Sequence, residues 1–273
     1  MPYPNLIMKR GCRPVQPENR LLVVGTTSDY IDWVRRVCPE RALFVTDPTI
    51  RSNAREPGPA IHEEVLCNLA DHEDVKKTVA RHLAGWGMRV NGVACFDCES
   101  MALAALLARD FSATYPSLSA VNNCRNKLTS KTLWQQNGIR CPKTAPVRNV
   151  EEATDFLSTQ RRDCVLKPLS GSGSELVFRC RNEKECRRAF SAIQDGLKQR
   201  KNHRLYKAAS GDSPRIIVEE FVEGPEFSCD FLMDEDGITL IRLARKIPSF
   251  LGPFGTTMGY VLIDALPLSL IHI

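Results

Sequence analysis

Two short apolar runs, Leu21–Val24 and Ala42–Val45, and a third strand over Val90–Phe96 alternate with stretches of helical spacing in the first part of the chain. Such continuous runs suit strands covered on both faces. Between them, residues 29–37 set Ile31, Val34 and Val37 at helical intervals. Asp71 is placed to cap a helix with Val75, Val79 and Leu83 on one face, and Gly85 and Gly87 end it. Glu99–Arg109 is a further helix, rich in Ala and Leu. Strands that alternate with helices imply a parallel α/β domain, over residues 20–112.

From residue 113 onward the pattern changes. Lys127–Gln136 reads as a helix closed by Asn137-Gly138, with Pro142 beyond it, and residues 151–158 as a shorter one. Strands then dominate: Cys164–Leu169, Glu175–Arg179, Ile216–Val222, Phe227–Met233 and Ile238–Arg245, interrupted by a helix over Glu183–Lys198. Asp234–Gly237 joins two of them as a hairpin turn. Residues 113–273 are therefore expected to form an α+β domain with antiparallel pairs.

Composition narrows the function classes. The net charge of the 273 residues is +5, which is mild for a nucleic-acid binder. The densest basic cluster, Lys198, Arg200, Lys201, His203, Arg204 and Lys207, reads as a solvated loop after a helix, so no nucleic-acid partner is expected. No run approaches a membrane span, and the Pro-rich, basic residues 1–19 read as a loose arm without the apolar core of a signal peptide. A cytoplasmic protein with no membrane partner is expected. Most of the 11 cysteines lie in apolar or amphipathic runs, which suits buried reduced thiols. Cys95 and Cys98 form a C-x-x-C without the second pair that a zinc site needs. Cys180 and Cys186 read as the end of a buried strand and the turn beyond it, with a redox motif as the alternative. His62, His72, His82 and His203 show no metal spacing.

Three segments carry candidate chemistry. In Val165-Leu166-Lys167-Pro168-Leu169 a buried strand bears one Lys, and Ser170-Gly171-Ser172-Gly173-Ser174 follows directly. A Lys fixed on a strand is a point charge for a phosphate, and Gly and Ser let backbone N–H groups approach phosphate oxygens. A hairpin that exposes Lys167 to water would look the same. The loop is neither a Walker A motif nor a dinucleotide fingerprint, and Val24-Gly25-Thr26-Thr27-Ser28 lacks G-x-G-x-x-G, which argues against NAD or FAD. In Ile216–Asp230 an apolar strand ends in Glu219-Glu220, turns at Gly224-Pro225 and restarts with Glu226. Such a bend suits an adenine edge and a ribose, or a hairpin with solvated acids. In Cys124-Arg125-Asn126-Lys127 a helix opens with Lys127 against its dipole, which calls for an anionic partner or for solvent.

The three segments in this order, N-K before a helix and G-I-x-x-P, V-L-K-P with its Gly/Ser loop, and V-E-E-F-V-E-G-P-E-F-S-x-D, resemble the ATP-grasp superfamily. The carbamoyl-phosphate synthetase large-chain and amino-acid ligase branch is the most similar, and the resemblance covers residues 20–265. It implies a Rossmann-like pre-grasp domain followed by an α+β ATP-grasp domain. It implies that Lys127 and Lys167 contact ATP phosphates, that Ser170, Gly171, Ser172, Gly173 and Ser174 close over them, and that Glu219 sits at the adenine amino group. Glu220, Phe221 and Val222 would line the adenine pocket, and Glu226 would hold the ribose. The implied reaction turns a carboxylate into an acyl phosphate and joins it to an amine, with ATP and Mg²⁺ required and small-molecule carboxylate and amine substrates as partners. It also allows a homodimer.

The sequence departs from the family at its end. After Gly237 the one carboxylate is Asp264, with no Glu-x-Asn behind it, and the tail Ala265–Ile273 is apolar. The chain is therefore expected to be a fragment, inactive alone, with the Mg²⁺ ligands beyond residue 273. Arg242, Arg245 and Lys246 either face the cleft or form a charged edge, with Arg245 the candidate for the substrate carboxylate or acyl phosphate. Two alternatives stay open: a nucleotide-binding module without turnover, and a Rossmann-type binding protein without ATP chemistry.

Overall fold

The computed structural model describes residues 18–207, 215–249 and 251–263. Most of the expected N-terminal arm, Phe250, Asp264 and the apolar tail lie outside these residues. The chain divides into two compact units, Met1–Val121 and Asn122–Ile273.

In the first unit, strands β1 (Glu18–Val24), β2 (Ala42–Thr46), β3 (Glu64–Leu66) and β4 (Met88–Ala94) form one parallel sheet in the order β3-β2-β1-β4. Helices α1 (Ser28–Val37), α2 (Pro48–Ser52), α3 (His72–Trp86) and α4 (Met101–Asp110) are interspersed with them. Side chains alternate along each strand. Leu22, Val24, Leu43 and Val45 therefore share a core with Val75, Val79 and Leu83 of α3 and with Leu103 and Leu107 of α4. Val23 and Phe44 project the other way, onto Ile31 and Val34 of α1. Both faces are covered, which is why these strands read as unbroken apolar runs.

The Asp71 side chain accepts from Asp74 N at 3.1 Å, and Gly87 ends α3 with a left-handed φ of 64°. Gly25 follows β1 at φ 63°, and a Cβ there would lie 2.0 Å from Ser100 Oγ. Only glycine fits that turn. The short β3 and α2 were not foreseen, because three and five residues carry too little periodicity.

Helix α5 (Leu118–Arg125) contains the division between the units, and in the second unit α6 (Lys127–Gln136) precedes β5 (Thr144–Val147), α7 (Val150–Gln160), β6 (Cys164–Pro168), β7 (Phe178–Cys180), α8 (Glu183–Gln199), α9 (Arg204–Lys207) and β8 (Ile216–Glu220). The strands form an antiparallel sheet in the order β5-β8-β6-β7. Helices α7 and α8 join its core through Ala153, Cys186, Ala189, Phe190, Ile193 and Leu197. The spacing of the α8 residues is that of an amphipathic helix with one buried face. The strand expected from Glu175 begins only at Phe178, because Ser174 and Leu176 adopt φ of 59° and 57°, which no strand tolerates.

A second antiparallel sheet follows, β9 (Phe227–Asp234), β10 (Gly237–Pro248) and β11 (Thr257–Leu262), in the order β11-β10-β9. Its hairpin turn is held by Asp234 Oδ1, which accepts from Asp236 N at 3.0 Å and Gly237 N at 3.2 Å. Leu243 and Ala244 are its buried residues among those described.

Candidate nucleotide site

Val165 on β6 stands opposite Glu219 on β8, so Lys167 is a diagonal neighbour of Glu219 on the same face. The Lys167 ammonium donates to Glu219 Oε1. From α6, Lys131 Nζ lies 3.6 Å from Glu219 Oε2. These side chains are only 15%, 10% and 15% exposed for Lys167, Glu219 and Lys131, so two cations and one carboxylate share a largely dry site. The site therefore carries one positive charge in excess. Breaking such a buried group is costly because the remaining charges lose compensation.

Lys131 was missed in the sequence. The signal was present: it lies four residues after Lys127, hence on the same helical face. The Asn126 side chain caps this helix by accepting from Thr129 N at 3.0 Å. The Lys127 N–H donates to Leu169 O at 3.1 Å, which fixes the start of α6 against the end of β6.

The Ser/Gly loop leaves β6 at that point. Ser170 is buried. Gly171 has φ 136°, and a Cβ on it would come within 3.1 Å of the Tyr206 ring. Gly173 and Ser174 also adopt positive φ. The loop is anchored at both flanks. Ser174 Oγ donates to Gly255 O at 3.2 Å, and the Tyr206 hydroxyl donates to Glu175 Oε2 at 2.5 Å.

The end of β8 borders a cavity of about 740 Å³ lined by Arg140, Cys141, Pro142, Arg162, Asp163, Glu220, Phe221, Val222 and Glu223. Three predicted adenine-edge residues, Glu220, Phe221 and Val222, are thus brought together there. Glu220 N–H donates to Lys143 O at 2.9 Å and Phe221 N–H to Asp163 O at 3.0 Å. The Val222 N–H has no protein partner among the described residues, and the residue is exposed. The Arg179 guanidinium stacks 3.8 Å from the Phe221 ring centroid.

Glu226 is exposed and accepts from Lys246 Nζ. Arg242 donates to Asp230 at 2.7 Å. Arg245 is exposed on β10, and no ion pair engages it among the described residues. Of the three cations considered for the cleft, two are held by carboxylates of β9 and the turn before it.

Residues 160–261 match the family model of the ATP-grasp domain. The fold of the chain resembles an L-amino acid ligase from Bacillus licheniformis, with TM-score 0.64 and 18% identity over 93% of this chain and 57% of that one. It also resembles the biotin carboxylase domain of a Hydrogenobacter thermophilus 2-oxoglutarate carboxylase, with TM-score 0.62 and 17% identity over 85% of this chain and 50% of that one. An N5-carboxyaminoimidazole synthetase from Staphylococcus aureus gives TM-score 0.56 and 14% identity, over 85% of this chain and 55% of that one. An uncharacterized protein, y4rH, of Sinorhizobium fredii (strain NBRC 101917 / NGR234) is 22% identical over 76% of this chain and 40% of its own length. The chain thus spans about half the length of these solved structures, and less of the curated relative.

Proposed function

We propose that this chain supplies the nucleotide-binding part of an ATP-dependent carboxylate–amine ligase. The observation that carries this reading is the Lys167–Glu219–Lys131 cluster, set between a Ser/Gly loop on one side and a hinge with an unpartnered N–H on the other. Lys127 and Lys167 contact the phosphates of ATP, with Lys131 beside them, and Ser170, Gly171, Ser172, Gly173 and Ser174 cover them. Glu219 serves the adenine amino group, Glu220, Phe221 and Val222 line the adenine pocket, and Glu226 exchanges Lys246 for the ribose. Arg245, solvent-facing and without an ion pair among the described residues, receives the substrate carboxylate or its acyl phosphate. The carboxylate attacks the terminal phosphate, and an amine then displaces phosphate; the protein positions the groups and neutralises charge. Residues 20–112 act as a Rossmann-like pre-grasp domain.

The same proposal covers the setting. The H. thermophilus neighbour is described as a dimer with MgADP and bicarbonate, and a homodimer acting on small molecules fits here. No helix among the described residues is long and apolar enough to cross a membrane, and the ten described cysteines are free thiols, which supports a cytoplasmic location.

Mg²⁺ takes hard oxygen ligands. Among the described residues the one cluster with metal-ligand proximity is made of three cysteines, and Glu219 and Glu226 are engaged by lysines. The described residues do not fit Mg²⁺, so its ligands come from outside them. This mismatch favours a second reading, a module that binds nucleotide without turnover.

Titration calorimetry with ATP tests the proposal on the chain and on Lys167→Ala, with folding checked by circular dichroism. A charge-assisted hydrogen bond is worth about 1.5–3 kcal/mol, so affinity should fall by roughly one to two orders of magnitude. Equal affinity of parent and folded variant would reject the assignment of Lys167.

A further inference from the structure

Cys164, Cys180 and Cys186 bring three thiols together in the core of the second unit. Cys164 opens β6 and stands opposite Cys180, the last residue of β7. Cys186 lies near the start of α8, on its buried face. All three are fully buried, all are free thiols, and their sulfurs lie within 4.8 Å of one another. Leu166, Ala189, Phe190 and Ile193 belong to the same core cluster. Among the described residues no fourth ligating side chain joins the group.

With metal–sulfur bonds of about 2.3 Å, the sulfurs lie roughly 4 Å apart around a planar three-coordinate ion and roughly 3.4 Å apart around a pyramidal one. The observed spacing reaches that with small side-chain shifts. Charge then decides which ion fits. Three thiolates around copper(I) leave a double negative charge, and around zinc a single one. Around a trivalent ion they leave none. An apolar site without water strongly disfavours uncompensated charge, and structural zinc also asks for a fourth ligand.

We propose that Cys164, Cys180 and Cys186 form a binding site for a thiophilic trivalent metalloid, for which arsenic(III) is the probe. With arsenous acid the step balances without redox change. Three As–S bonds form and three As–O bonds break, and each thiol proton leaves with a hydroxide as water. Access comes through β7, a three-residue strand at the edge of its sheet, where local opening is least costly. Ligation ties β6 to β7 and α8, and so fixes both ends of the loop that contains Ser170–Ser174. This site is independent of the nucleotide reading.

The test is X-ray absorption at the arsenic edge on the reduced, full chain after mixing with arsenous acid and removal of the excess. The expected result is a single retained arsenic with three sulfur neighbours. That signature should be lost in Cys186→Ala and kept in the double variant Cys95→Ala, Cys98→Ala, which leaves the core of the second unit intact. Thermal unfolding gives a second readout, since a ligand of the folded state raises the midpoint; the parent and the double variant should gain and Cys186→Ala should not. No retained arsenic in the parent, or a three-sulfur signature that disappears with Cys95 and Cys98, overturns the proposal. Retention of zinc as firm as that of arsenic in a parallel sample overturns the preference for a trivalent ion.

Discussion

The two sheets of the second unit draw on similar apolar residues and end in opposite states. In β5-β8-β6-β7, Leu166 and Val218 are fully buried, because α7 and α8 join the same core. In β11-β10-β9, Met233, Ile238 and Met258 are each more than 60% exposed. Strand-forming side chains make a ladder in both cases, and cover alone makes a core. The ion pairs follow the same division. Lys167–Glu219 and Lys246–Glu226 are the same chemistry, but Glu219 is 10% exposed and Glu226 65%.

The strongest way to break this contrast is to delete the two carboxylates in turn. Glu219→Ala leaves Lys131 and Lys167 without their shared anion in a nearly dry site, and should cost about 3–5 kcal/mol. Glu226→Ala removes an exposed pair and should cost less than about 1 kcal/mol. Urea denaturation of both variants measures the difference. Equal costs would mean that water reaches Glu219 as freely as Glu226.

Packing gives the next contrast. Leu166→Ala opens a cavity in the covered sheet and should cost about 2–5 kcal/mol. Leu240→Ala, on a half-exposed position of the open sheet, should stay within about 0.5 kcal/mol. The same denaturation measurement decides. A large loss at Leu240 would show that the open sheet is covered in solution.

This division also sets what could be read from the sequence. The buried strands β1, β2, β6 and β8 and the helices α3 and α8 announced themselves, because a face packed against a core demands a regular apolar pattern. Lys167, its loop and the 219–222 hinge were legible for the same reason: a Lys and paired acids interrupting an apolar strand stand out. Lys131 did not stand out, since a second Lys on an amphipathic helix has the appearance of a solvated surface. Nor did Tyr206, whose role depends on a contact with a loop far from it in sequence. The three cysteines fell on two strands and a helix, so only the fold could bring them together.

The smallest expected effect sharpens the contrast where the Ser/Gly loop meets both halves. On one side Ser174 reaches Gly255, in the connection between β10 and β11. On the other, Glu175 accepts from Tyr206, and from Arg200 Nε at 2.7 Å. The Tyr206 hydrogen bond is the largest single cause that holds the Glu175 carboxyl below its ordinary value, ahead of either the hydrogen bond or the charge of Arg200. A carboxyl lowered by folding stabilises the native state above its unfolded pKa, and that contribution is lost as pH falls through the folded value. Tyr206→Phe should therefore return Glu175 toward the ordinary range. It should cost about 1 kcal/mol near neutral pH and less once the carboxyl is protonated in both proteins. Titration of the Glu175 carboxyl by NMR, with urea unfolding at neutral and acid pH, reads both effects. An unshifted carboxyl in the variant would assign the anchor to Arg200 instead. The loop would then be held by an ion pair, as the exposed sheet is at Lys246, rather than by a buried ring of the covered one.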